Sequence, residues 1–100
     1  MKPQVQIFDE NDSLIVKIRG ELTLRYAEDI KQMLAELPIY QKKVELILEE
    51  IEGVDLCAIQ MIWAFRKYCQ SSDIHFHMQA NMEDAEQQLI DNTGFSSLFL

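Results

Sequence analysis

Basic residues are scarce in this chain. Nine Lys and Arg stand against seventeen Asp and Glu, a formal net charge of −8 over 100 residues, and no basic run interrupts the acidity. Nucleic-acid binding requires clustered Lys and Arg that displace counterions, so that class is excluded, and anionic membrane surfaces are disfavoured for the same reason. Cysteine is nearly absent: Cys57 and Cys69 lie twelve apart, neither a redox CxxC pair nor a zinc spacing. Both fall in apolar context and are expected to stay reduced in a cytosol. Long apolar runs are missing as well. No stretch of about 18 apolar residues exists to cross a membrane. Met1 to Asp12 carries no apolar core of a secretory leader, so a cytoplasmic protein is expected. With three glycines in all, no phosphate-cradling Gly loop can be assembled, and neither a Ser/His/Asp set nor HExxH occurs.

Hydrophobic residues make up 48% of the chain, enough for one modest core, and one domain over residues 1–100 is the simplest reading. A chain of this size buries roughly 65% of its unfolded surface and needs neither a disulfide nor a metal to fold.

Leu14-Ile15-Val16-Lys17-Ile18-Arg19 alternates between faces as a half-buried strand does. A shorter strand, Val5 to Phe8, precedes it across the polar turn Asp9-Glu10-Asn11-Asp12, which predicts a hairpin. The chain leaves this strand at Gly20-Glu21-Leu22. Thr23 is a suitable N-cap for a helix carrying Ala27, Ile30, Leu34 and Leu37, which Pro38 ends at Leu37. Lys43 to Glu49 alternates again, with Val44, Leu46 and Leu48 inward. A loop, Ile51 to Cys57, then opens a helix from about Ala58 to Gln70. Ile74 to Met78 forms another strand, and Asn81 caps a last helix with Met82, Ala85 and Leu89, closed by Gly94 and an apolar ending, Phe95, Leu98 and Phe99. The order β-β-α-β-α-β-α, with every main strand keeping one polar side, predicts an α/β fold: a single mixed sheet of about four strands, helices on one face and the other face wet.

The strand-to-helix passage Gly53-Val54-Asp55-Leu56-Cys57-Ala58-Ile59 draws most attention, because backbone N–H groups are unpaired where a helix starts and partners dock there. The order of elements, the Gly20-Glu21-Leu22 turn, this passage and the Asn92-Thr93-Gly94-Phe95 ending together resemble a STAS domain, the fold of the bacterial anti-sigma factor antagonists. The resemblance implies a non-catalytic module that binds a protein partner, a kinase-like anti-sigma factor or another regulator, with no cofactor. In that family the passage commonly reads Asp-Ser-Ser-Gly, and the partner kinase phosphorylates the second Ser. Set on this pattern, Asp55 matches the Asp, Leu56 replaces the first Ser, Cys57 the acceptor and Ala58 the Gly; Ile59, Met61 and Ile62 match the apolar positions that follow. A thiol is not a substrate for ordinary Ser/Thr kinases. The resemblance therefore implies partner binding without the switch that about −2 of added charge provides. A signalling- or chemotaxis-associated STAS protein fits this pattern. The small STAS subunit of a lipid-transport ABC system is an alternative, although that form usually has a Thr in the passage.

Each residue of interest also has a plainer role. Asp55 can cap the helix, contact a partner, or both. Cys57 lies near a helix N-terminus, which favours a thiolate, but Asp55 opposes this and no cation lies in the passage; a thiol-dependent enzyme or redox sensor stands against a small residue filling a tight site. On the following helix Ala58, Ile62, Phe65 and Cys69 form the core stripe, while Trp63 falls on the polar side near Ile59. Trp63 is thus a candidate anchor for a partner or for a homodimer, or else it packs on a neighbouring element. His75 and His77 share the outer face without an evident third ligand, so no metal is expected. Lys17 and Arg19 share that face with Glu45 and Glu49, which predicts cross-strand ion pairs.

Overall fold

The computed structural model describes residues 2–10, 12–40 and 42–80. The helix expected from Asn81, its Gly94 terminator and the apolar ending lie outside the described residues.

Alternation builds the sheet. β1 (Gln4–Glu10) and β2 (Ser13–Leu22) form the expected antiparallel hairpin, with Val5 opposite Ile18 and Phe8 opposite Ile15. α1 (Ala27–Ala35) returns the chain to β3 (Lys43–Val54), parallel to β2; α2 (Leu56–Ser71) returns it to β4 (His75–Ala80), parallel to β3. The strand order is therefore β1-β2-β3-β4 in one mixed sheet. Two parallel crossovers of the same hand carry α1 and α2 to the same face. Leu14, Val16 and Ile18 of β2, Val44, Leu46 and Leu48 of β3 and Met78 of β4 meet Ile30 and Leu34 of α1 and Ala58, Ile62, Phe65 and Cys69 of α2 in one core.

The opposite face is polar and partly open; the cross-strand pair expected at Arg19 forms, whereas Lys17 lies over the Phe8 ring, 5.4 Å from its centre. Arg19 reaches Glu49 at 3.2 Å and Glu50 at 3.4 Å. Glu45 accepts from Gln79 Nε2 at 2.8 Å and lies 3.8 Å from His77 Nδ1. His75 and His77 are exposed there, and no three His, Cys, Asp or Glu side chains gather around one point among the described residues.

Several boundaries depart from expectation. β2 does not leave the sheet at Gly20; it continues to Leu22, and β3 continues past Glu49 to Val54, because the two stay paired through register shifts on either side of Gly20. Gly20 has φ 108° and Glu50 φ 51°, so each strand kinks by a left-handed residue instead of ending. Thr23 does not cap α1 with its side chain. Its hydroxyl donates to Glu21 Oε2 at 2.6 Å, and a single 3-10 turn, Leu24–Tyr26, intervenes before α1. α1 ends at Ala35, ahead of Leu37, although Leu37 still packs in the core.

Candidate functional site

The prolonged pairing of β2 with β3 determines what the strand-to-helix passage looks like. Gly53 and Val54 are the last residues of β3, opposite Glu21 and Leu22, so the open passage shrinks to Asp55 alone. A Cβ added to Gly53 would come no closer than 4.0 Å to Thr23 Cγ2, which makes its smallness dispensable. Asp55 is the N-cap of α2, which starts two residues earlier than expected: Oδ1 accepts from Ala58 N at 3.1 Å. Its other oxygen, Oδ2, accepts from Leu24 N at 2.8 Å, thirty-one residues away. Its own N–H donates to the Leu22 carbonyl at 3.1 Å. One carboxylate therefore ties the start of α2 to the turn after β2 and sets the geometry of both.

Of the residues singled out from sequence, Asp55 and Cys57 are half-buried and Leu56 is exposed, so the junction is open to a partner at these three positions. Ala58 and Ile59 are not part of that surface. They are 0% and 2% exposed, turned onto the sheet by the first turn of α2, and they serve the core instead. Trp63 is half-buried and packs against the core edge, with Arg66 5.2 Å and Lys67 5.5 Å from its ring. It shares one helical stripe with Leu56 and Gln60, so it continues the junction surface along α2. Truncating it would cost packing as well as any contact to a partner.

Leu24 was invisible to motif reading. It is 67% exposed, against 42% for Leu56, and Asp55 Oδ2 holds the Leu24 N–H beside the start of α2, where Leu56 is the first residue. The available signal was an apolar residue two positions after the Gly20-Glu21-Leu22 segment, next to Thr23. Cys57 and Cys69 are both free thiols. Burial pushes the Cys69 thiol up to about 11, so it stays protonated and unreactive at neutral pH. An apolar groove of about 600 Å³ opens between α1 and α2, lined by Leu34, Leu37, Met61, Phe65 and Tyr68 among others, and none of the junction residues lines it.

A mixed four-stranded sheet with its crossover helices on one face, ending in an acid-capped junction at the C-terminal ends of its parallel strands, defines a small α/β module of one recurrent type. A STAS domain family model matches residues 2–100, and the chain belongs to that family. No curated protein sequence matches it. Among solved structures, an anti-sigma factor antagonist from Mycobacterium paratuberculosis superimposes with a TM-score of 0.81 at 17% identity, covering 98% of this chain and 83% of that one. The anti-sigma factor antagonist SpoIIAA in its unphosphorylated form gives 0.73 at 10% identity, covering 97% and 86%. A sulfate transporter family protein from Wolinella succinogenes gives 0.66 at 18% identity, covering 89% and 73%. Among the described residues no helix is long and apolar enough to cross a membrane.

Proposed function

We propose that this STAS chain is a non-catalytic regulatory module of the anti-sigma factor antagonist type, which works in the cytoplasm by docking a protein partner at the β3–α2 junction. The observation that carries the reading is the pair of exposed leucines, Leu24 and Leu56, brought to one junction by Asp55, whose Oδ2 accepts from the Leu24 N–H and whose Oδ1 caps the helix that Leu56 begins. Apolar side chains displayed on a rigid polar frame give a partner desolvated contact area without the cost of ordering a loop. Cys57 and Trp63 extend the surface along α2. Between Gly53 and Ala58 no residue carries a hydroxyl, so partner binding is not gated by phosphorylation there. Added phosphate charge would otherwise change the affinity of this surface directly.

The test uses a cognate kinase-type anti-sigma factor and labelled ATP. The wild-type chain binds it and takes up no label on residues 53–58, whereas Cys57→Ser restores an acceptor and is labelled. Leu56→Glu binds at least ~10-fold more weakly with an unchanged fold, as expected for an exposed residue. Label on the wild-type junction, or binding indifferent to Leu56→Glu, overturns the reading. A transport role is the second reading, favoured by the shared fold of the sulfate transporter family protein. Co-purification with a transporter's ATPase subunit would select an accessory subunit of a lipid-transport ABC type.

A further inference from the structure

β1 forms an edge of the sheet among the described strands, and every residue of it except Val5 is exposed. Edge strands carry outward-facing N–H and C=O groups, and proteins blunt them with charge, Pro or a covering element. β1 is blunted only at its ends, by Pro3 on one side and Asp9-Glu10 on the other; Gln4-Val5-Gln6-Ile7-Phe8 carries no charge, and Ile7 and Phe8 are 41% and 44% exposed.

We propose that β1 pairs antiparallel with β1 of a second copy of this chain, with the two-fold axis at Gln6, to give a continuous eight-stranded sheet. The sequence of the strand selects this register. Residues opposite each other in an antiparallel pair lie on the same face. Val5 and Ile7 face the helices, opposite Ile18 and Val16, whereas Gln4, Gln6 and Phe8 face away, opposite Arg19, Lys17 and Ile15. An axis at Gln6 sets Val5 against Ile7 of the second copy twice, Gln6 against Gln6, and Gln4 against Phe8. Beyond these pairs Pro3 meets Asp9, while Lys2 lies ahead of the strand and pairs with Asp29 of α1 at 3.9 Å. Moving the axis to Ile7 would set Val5 against Asp9, and moving it to Val5 would leave Ile7 and Phe8 opposite Pro3 and Lys2, which precede the strand. Only the Gln6 axis pairs Val5, Ile7 and Phe8 within the strand while setting none of them against a charge. A groove of about 310 Å³ along the same edge, lined by Pro3, Val5, Ile7 and Met33 and otherwise by charged and polar side chains, gives the added strand's inward side chains somewhere to pack. This surface lies away from the Asp55 junction, so a dimer leaves that surface accessible.

Gln6→Glu discriminates sharply, because within one chain it faces Lys17 and is favourable, whereas across the axis it sets two carboxylates against each other. Sedimentation equilibrium on the full chain from micromolar to millimolar concentration should show a monomer–dimer equilibrium. Gln6→Glu should weaken it ~10-fold or more without lowering the melting temperature. Under mild oxidation Gln6→Cys should cross-link to itself, because opposed residues lie within disulfide reach. Gln4→Cys, offset from its copy by four positions, should not rise above the wild-type background set by Cys57. A wild-type chain monomeric at every concentration, a dimer indifferent to Gln6→Glu, or equal cross-linking at positions 4 and 6 overturns the proposal.

Discussion

At the residue scale Asp55 carries the most. A capping side chain alone contributes about 1 kcal/mol, and a hydrogen bond from a backbone N–H to a carboxylate about 1.5–3. Asp55 makes both, to Ala58 and to Leu24. Asp55→Ala should therefore lower unfolding stability by about 2–3 kcal/mol, which is more than a cap by itself would lose. Asp55→Asn keeps an acceptor oxygen and an amide and should lose about 1 kcal/mol. Urea denaturation of the two variants checks this. Equal, small losses would mean that the long-range bond to Leu24 adds nothing. Capping was readable from the sequence, because an Asp ahead of an apolar helix is a local pattern. The bond to Leu24 was not, because it joins residues thirty-one apart whose proximity depends on how far β2 and β3 run together.

At the scale of elements, the chain's alternation defines strand existence better than strand ends. Val44, Leu46 and Leu48 sit inward as their spacing requires, but the pattern breaks at Glu49-Glu50 and reads as an exit. The break is a kink within the strand: Glu50 takes a left-handed conformation, Arg19 bridges both glutamates, and pairing resumes at Ile51 opposite Gly20. The same conformation ends α2. Asp73 has φ 58°, its N–H donates to Gln70 O at 3.3 Å, and Ile74 N–H donates to Cys69 O at 2.8 Å, the two bonds of a Schellman terminus. Glycine is the usual residue at that position, since any Cβ costs about 1 kcal/mol in the left-handed region. An acidic side chain there also opposes the negative end of the helix dipole. Asp73→Gly should accordingly stabilise the protein by about 0.5–1 kcal/mol despite glycine's greater freedom when unfolded. A rise in the urea midpoint with an unchanged slope confirms it. A fall would show that the Asp73 side chain makes a compensating contact.

At the scale of the whole molecule, two electrostatic terms oppose each other. The Arg19 pairs with Glu49 and Glu50 on the outer face favour the fold, but each joins partly exposed groups and contributes well under ~1 kcal/mol. Against them stands the mutual repulsion of a chain with net charge −8, which compaction concentrates. Salt screens both, with a Debye length of about 10 Å at 0.1 M, and attenuates the many longer-range repulsions more completely than the close pairs at 3.2–3.4 Å. Repulsion should therefore be the larger loss on screening. Raising sodium chloride from low to moderate concentration should increase stability by about 1 kcal/mol, or roughly 4 °C in melting temperature for a domain of this size. Scanning calorimetry on dilute protein, kept monomeric by Gln6→Glu, isolates this effect from self-association. A melting temperature that falls with salt would put the outer-face pairs ahead of the net charge. The polar face of the sheet would then be a source of stability in its own right, and Arg19→Met would cost far more than a surface substitution should.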